Sequence, residues 1–355
     1  MKILYIATPN SPGHHLSYFQ GVSDVLEEYA LVTEKFCPEL NCKQYYNNTL
    51  NFGTKSFYEY LRMIRFIRGA VKDYQPDLVH IQCGDNFYRF LGIGLSNLGC
   101  KKIVMTFHHV NRSKIKDLSI KRIFKKISVG VVHTHSIKKM LISMGIKNVE
   151  HIEYPQFNKV EKVESQIAKI FFGLHPDTVC LAAIGSTRND KGLDVLLTAL
   201  DNVEFPFQLL IAGSEGDIKR QLIDELTKKY KEKIKQYIKY LNDEELCMAL
   251  NAADIIVLPY KKFFDGASGP LCEGVSLKKM IIGPDHGSIG DIISKNHLGY
   301  VFQSENIESL SRVIEEALTT EWSVDEVYEK YMIELDPKVF ANKYKNLFEL
   351  IFTEN

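Results

Sequence analysis

The sequence predicts an α/β protein built from two doubly wound, Rossmann-like domains, each with a parallel sheet and crossover helices. Three observations carry this. Short apolar runs alternate with amphipathic helical runs from the amino terminus to about residue 155. The alternation lapses across a polar stretch and restarts near residue 179. The length of 355 residues suits two domains of about 150 residues each. Alternating strands and helices of this kind give parallel sheets covered on both faces.

The elements follow in order. Ile3–Ala7 is an apolar run bounded by Pro9, Pro12 and Gly13, and predicts a first strand. Leu16–Tyr29 has helical spacing, as has Glu59–Tyr74, which Pro76 stops because proline cannot continue a helix. Asp77–Gln82, Lys102–Phe107 and Val129–His133 are short buried-strand runs. Asn158–Lys169 is polar and predicts an interdomain linker. In the second half, Val179–Ile184, Phe207–Ala212, Ile255–Leu258 and Ile281–Gly283 predict strands. Leu193–Leu200, Asp217–Tyr230, Ile307–Leu318 and Pro337–Phe352 predict helices. The boundaries expected are residues 1–160 for the first domain and 161–335 for the second. Residues 336–355 would form a closing helix. Ligand would lie in a cleft at the carboxyl ends of the strands.

Composition sets limits. Hydrophobic residues are 45% and charged residues 25%, ordinary for a globular protein. The seven cysteines (37, 42, 83, 100, 180, 247 and 272) form no CxxC pair and read as reduced thiols in a cytoplasm. The amino-terminal apolar run is too short for a signal peptide, and no stretch approaches the ~20 apolar residues of a membrane span. The expected location is cytoplasmic, with the inner face of the membrane as a candidate peripheral site. The net charge of zero hides a division. Residues 1–160 hold 22 Lys and Arg against 12 Asp and Glu, net +10, and the remainder is net −10.

Two segments carry chemistry. Gly185-Ser186-Thr187-Arg188-Asn189-Asp190-Lys191-Gly192 follows a strand and opens a helix. A glycine turn at a helix start, with Arg188 and Lys191 three apart, suits a diphosphate: amides and the helix dipole point at the anion and the cations neutralise it. A solvated turn with a helix cap is the plain alternative. In Asp265-Gly266-Ala267-Ser268-Gly269-Pro270-Leu271-Cys272-Glu273, two carboxylates lie eight residues apart across small residues that let a ligand approach the backbone. A helix is expected to follow Glu273, over Gly274–Leu277.

At these residues the chain resembles the retaining glycosyltransferases of family 4, which have the GT-B fold. Asp265, Gly266, Pro270, Leu271 and Glu273 fall where that family has a Glu-x7-Glu motif. Arg188, Lys191-Gly192, Leu209–Gly213, Asp243–Leu246, Ala252–Ile255 and Leu258-Pro259-Tyr260 match its further motifs in order. In the first half, Pro12-Gly13 stands at its glycine-rich loop and Thr106-Phe107-His108 at its Thr-x-His.

The resemblance implies a retaining enzyme that moves a sugar from a UDP- or GDP-linked donor to a glycan or lipid-linked acceptor in cell-surface polysaccharide biosynthesis. Arg188 and Lys191 would hold the diphosphate and stabilise the charge that develops as it leaves, an effect of roughly 3–4 kcal/mol for one such donor. Glu273 would accept from the ribose hydroxyls. Asp265, one methylene shorter than the family's Glu, would meet the sugar. The amides of Gly266, Ala267, Ser268 and Gly269, with Gly13 and Gly185, would line the donor. His108 would contact the sugar or the reacting centre, and His14 and His109 are candidate acceptor or sugar contacts. In this front-face mechanism the leaving phosphate takes the acceptor proton. No Asp-x-Asp occurs in the chain, and the resemblance implies no metal and no cofactor. Alternatives are a nucleotide-sugar epimerase of the same fold and a non-catalytic nucleotide-sugar-binding protein. A dinucleotide oxidoreductase is disfavoured, because no G-x-G-x-x-G follows either domain's first strand.

Other residues read more plainly. His80, and His133 with His135 alternating on one strand, are expected to be structural. Tyr260, Lys261 and Lys262 are expected to form a rim. Arg112–Lys139 holds nine Lys and Arg against Asp117 alone. Ile120, Ile123, Phe124 and Ile127 share one helical face there, and Lys121, Arg122, Lys125 and Lys126 another. Arg62, Arg65, Arg68 and Lys72 form a second basic row. A basic amphipathic helix reads either as a docking face for an anionic membrane or as a solvated face over its own core. No nucleic-acid motif is present, so nucleic acid is not an expected partner.

Overall fold

The computed structural model describes residues 1–7, 15–110, 113–158, 160–264 and 266–353. It divides into two units, Met1–Phe157 with Asp336–Asn355, and Asn158–Leu335.

Unit 1 runs β1 (Lys2–Ile6), α1 (His15–Ser23), β2 (Glu28–Thr33), β3 (Lys43–Tyr46), α2 (Phe57–Tyr74), β4 (Leu78–Ile81), α3 (Asp85–Tyr88), β5 (Ile103–Phe107), α4 (Lys114–Phe124), β6 (Val129–Val132), α5 (His135–Ser143) and β7 (Val149–His151). Unit 2 runs α6 (Ser165–Phe171), β8 (Cys180–Ile184), α7 (Leu193–Leu200), β9 (Gln208–Ala212), α8 (Arg220–Leu226), β10 (Ile234–Tyr237), α9 (Asp243–Ala252), β11 (Ile255–Val257), α10 (Gly269–Ser276), β12 (Met280–Pro284), α11 (Gly287–Lys295), β13 (Gly299–Phe302), α12 (Ile307–Thr319) and α13 (Glu326–Glu334). The final helix, α14 (Pro337–Thr353), belongs to unit 1.

Among the described residues, unit 1 has a 7-stranded sheet in the order β3-β2-β1-β4-β5-β6-β7, and unit 2 a 6-stranded sheet in the order β10-β9-β8-β11-β12-β13. Their strand pairs are parallel. Each order reverses once, between β1 and β4 and between β8 and β11, and such switch points are where doubly wound folds open a crevice. Alternation along β1 shows why both faces need cover. Leu4 and Ile6 enter one core, and Ile3 and Tyr5 enter the other. The first core is roofed by α2, whose Tyr60, Met63, Ile64, Ile67 and Val71 share one face; the second is roofed by α1 and α14. Ser56 caps α2 and Gln75, at φ 52°, ends it before Pro76.

Four expectations are corrected. The helical run from Leu16 stops at Ser23, and Glu28–Thr33 is a central strand: its unbroken apolar centre also fits helical spacing, but it pairs with both β1 and β3. The charged run Asp217–Tyr230 is helical only over Arg220–Leu226, where Ile223 is buried. The polar linker contains α6, which packs beside α9. His133 lies just beyond β6, and His135 opens α5 after the cap Thr134, so the two do not share a strand.

A directional hydrogen-bond chain binds α14 to unit 1. The Ile152 carbonyl only accepts, so His133 Nδ1–H donates to it (2.8 Å). His133 Nε2 therefore accepts from the Tyr18 hydroxyl (3.0 Å). Tyr18 then accepts from Tyr344, Tyr344 from Thr106 (2.9 Å), and Thr106 from His80 Nε2–H (3.0 Å). Burial pushes the His80 and His133 imidazoles down, to about 3 and about 4, and the chain holds both neutral.

Tyr344→Phe keeps the ring but leaves Tyr18 without its donor and Thr106 without its acceptor. The expected loss is about 1–3 kcal/mol, read as a lower unfolding midpoint in thermal or urea denaturation.

Candidate functional site

The donor-type residues collect at the carboxyl ends of β8 and β11. After β8 the chain turns through Gly185, at φ 115°, and reaches Gly192, at φ 64°. A Cβ on Gly192 would lie 2.0 Å from the Pro259 carbonyl oxygen, so only glycine fits there on both counts. Lys261 bolts the two loops together. Its amide donates to the Asp190 carbonyl (3.0 Å), and its Nζ donates to Asn189 Oδ1 (2.7 Å) and pairs with Asp194 Oδ2 (2.8 Å). Thr187 Oγ1 donates to the Ile218 carbonyl (2.8 Å) and accepts from the Gly216 amide (2.8 Å), which fastens the turn to the loop after β9.

The two cations of the turn differ. Arg188 is held by its neighbour Asp190, with Nε to Oδ1 at 3.0 Å and Nη2 to Oδ2 at 2.7 Å. That pairing raises the guanidinium pKa and lowers the Asp190 carboxyl. Among the described residues no carboxylate pairs with Lys191. Its Nζ reaches back over Gly185, where a Cβ would come within 2.6 Å, and lies 5.5 Å from the centre of the Tyr260 ring. Gly185, Ser186, Thr187, Lys191, Pro259 and Tyr260 line a shallow pocket that opens to solvent.

Tyr260 and Lys261 are buried rather than a rim. The Tyr260 ring packs on Phe264, 4.2 Å between centroids, and its hydroxyl meets Ser268 Oγ at 2.9 Å. Ser268 caps α10, so that helix begins before Glu273 and not after it: Gly269–Ser276 contains Glu273 one turn in. Gly274 lets α10 sit against Ile256, whose Cδ1 would be 2.5 Å from a Cβ. Glu273 is 4% exposed. Burial pushes its carboxyl up to about 7, while the Asn158 amide, donating to Oε1, and the nearby Lys191 charge pull the other way. Gly185, Lys191, Tyr260, Ser268 and Glu273 thus form one cluster. Asp265, Gly13 and His14 lie outside the described residues.

His108 and His109 belong to unit 1. His108 Nε2–H donates to the Gln82 carbonyl (3.0 Å), and its ring lies 5.2 Å from His133 and 5.3 Å from Tyr18. Burial first, then the His133, His15 and His109 charges, hold it well below the usual histidine range. It is therefore a neutral imidazole at neutral pH. His109 is exposed.

Residues 167–334 match the family model for glycosyl transferases group 1. The second unit is a glycosyl transferases group 1 domain. This agrees with the resemblance in the second-half motifs, and the chain carries the domain of a transferase enzyme. The GDP-mannose:glycolipid 4-beta-D-mannosyltransferase of Xanthomonas campestris is 28% identical over 126 residues, which is 35% of this chain and 36% of that protein. The match therefore spans about a third of that relative. The sucrose-phosphate synthase of Thermosynechococcus elongatus superposes with a TM-score of 0.79 at 14% identity, covering 100% of both chains. Anabaena HepE in complex with UDP superposes with a TM-score of 0.76 at 11% identity, covering 98% of this chain and 100% of its own. These likenesses establish the GT-B fold.

Sequence reasoning gave no role to Asn158, Asp190 or Asp194 and read Lys261 as rim. Each matters only through a partner distant in sequence or through a turn geometry.

The Glu273 carboxyl has its folded pKa raised above the ordinary carboxylate value. Its protonated form stabilises unit 2 below about pH 4.5, and that contribution is lost as pH rises through about 7. Glu273→Gln should remove this slope and raise unit 2 stability at pH 8 by on the order of 2–3 kcal/mol, read from unfolding midpoints between pH 4.5 and 8.

Proposed function

We propose that the chain is a retaining glycosyltransferase that moves a sugar from a UDP- or GDP-linked donor to a glycan or lipid-linked acceptor in cell-surface polysaccharide biosynthesis. One observation carries the reading: Lys191, which no carboxylate among the described residues pairs, and the buried Glu273 lie close together beside a positive-φ glycine turn in a group 1 domain. The pocket beside Gly185 takes the diphosphate. Lys191 neutralises it directly, and Arg188 does so by sharing its guanidinium between Asp190 and the phosphate. These cations act where leaving-group charge develops, so the transfer needs no metal for that task. A carboxyl with a pKa near 7 gains from accepting two hydroxyl donors, which fits Glu273 to the ribose of a nucleotide. Gly266, Ala267, Ser268 and Gly269 line the sugar side, with Asp265 as their carboxylate. His108, held neutral, hydrogen-bonds the sugar without adding charge. The leaving phosphate takes the acceptor proton. HepE was solved with UDP and the Xanthomonas relative uses GDP-mannose, so both bases remain in the proposal.

The acceptor side is read as membrane-proximal. On α4, Ile120, Ile123 and Phe124 are buried in their own core; just past its end Lys126, expected on the basic face, instead turns inward to the Gly92 carbonyl (2.7 Å). Lys121, Arg122 and Lys125 are exposed, as are Ile115 (74%) and Leu118 (62%). Apolar tips among cations suit an anionic bilayer surface. No helix among the described residues is long and apolar enough to cross a membrane. We place the protein in the cytoplasm, peripheral on the inner face.

A thermal-shift screen of nucleotide sugars checks the donor. One UDP- or GDP-sugar should stabilise the wild type, with Kd raised about 10–100-fold in Lys191→Ala and less in Arg188→Ala, whose cation is already shared. No stabilisation by any nucleotide sugar would sink the assignment. Flotation with liposomes at low salt checks the membrane face. Binding should need anionic lipid and fall on reversal of Lys121, Arg122 and Lys125 to Glu, each worth about 1 kcal/mol.

A further inference from the structure

Eight of the 11 histidines (14, 15, 80, 108, 109, 133, 135 and 151) lie in the first 157 residues, and one group of them is not used by the sugar-transfer reading. β6 and β7 pair in parallel with Val132 opposite His151. Past β6 the chain caps α5 with Thr134, which places His135 on the first turn of that helix. His151 ends β7, and Glu153 follows two residues later, the spacing that returns a side chain to the same face of an extended chain. One ligand atom from each of His135, His151 and Glu153 lies within 4.8 Å of the others.

Three features separate this group from a chance cluster. The two imidazoles lie 3.8 Å apart, centroid to centroid, at 32°. His151 Nε2 is 3.3 Å from Glu153 Oε2, and their side chains are each 11% exposed. Despite that proximity, no group among the described residues meets His151 Nε2 in hydrogen-bond geometry, and the atom is buried. A buried polar atom left in this way calls for a missing partner such as an ion.

Two neutral imidazoles and a carboxylate are the donor set of an open zinc site, with ligands at roughly 2.0–2.2 Å from the metal. Ligands at that distance on a tetrahedron are roughly 3.3–3.6 Å apart, which the His151–Glu153 pair already matches. His135, exposed and at a helix start, already brings a ring nitrogen within 4.8 Å of the other two ligand atoms. We propose that His135, His151 and Glu153 form a Zn²⁺ site at the carboxyl ends of β6 and β7, with its fourth position open to an oxygen or anionic ligand. The site belongs to unit 1 and does not rest on the transferase reading.

The test uses the full chain without a histidine tag, stripped with chelator and titrated with Zn²⁺ by calorimetry, with Co²⁺ absorption as a second readout. The wild type should bind one equivalent, and Co²⁺ should give tetrahedral visible bands. His135→Ala and His151→Ala should each weaken binding at least about tenfold and remove those bands, and Glu153→Gln should weaken it by a similar factor. Unfolding midpoints of each variant without metal check folding; if His151→Ala is unfolded, the exposed His135→Ala decides. No zinc bound to the wild type, or stoichiometry and Kd unchanged in His135→Ala, would overturn the proposal.

Discussion

The absent side chain of Gly192 is the constraint on which the donor-type site is built. Its backbone passes the Pro259 carbonyl at a distance no Cβ tolerates, in a conformation that favours glycine. That crossing brings the loop after β8 against the loop after β11. Lys261 then closes the contact with three hydrogen bonds to Asn189, Asp190 and Asp194. The orientation of Lys191, the placement of Tyr260 beside it and the cap that Tyr260 supports on α10 all follow from this junction.

The electrostatics follow from the same packing. Unit 2 is acidic in sum, yet the one cation of the turn unpaired among the described residues is Lys191, because Asp190 holds the Nε–Nη2 edge of Arg188. Glu273 sits a helical turn into α10 with almost no solvent, and one amide donor from Asn158 is not enough to hold its charge at the usual pKa. A lysine and a protonatable carboxyl so arranged are poised for a ligand that brings an anion to one and hydroxyl donors to the other.

Unit 1 is organised differently. Its polar groups run as a buried chain from Ile152 to His80 through Tyr18, Tyr344 and Thr106, with each link directed by the one before it. The last helix supplies Tyr344, so residues at the far end of the chain complete the core of the first domain. Acid acts on this network through histidines held neutral. Unit 2 responds to pH through a carboxyl with a raised pKa. Glu273 and these histidines therefore depend on protons in opposite directions.

The sequence by itself determined the repeated strand–helix alternation, the glycine turn with Arg188 and Lys191, and the Asp265–Glu273 spacing. Each is a local pattern whose chemistry depends on near neighbours. Glu28–Thr33 was illegible because its apolar run fits helix and strand alike, and only pairing on both sides makes it a strand. The ends of the short α8, and α6 altogether, were illegible because few of their residues touch a core. Only the tertiary structure decided that Tyr260 and Lys261 are buried, that Asn158 meets Glu273, and that His135, His151 and Glu153 share one place. Those facts depend on which loops the parallel sheets bring to the same edge, and no spacing along the chain encodes that.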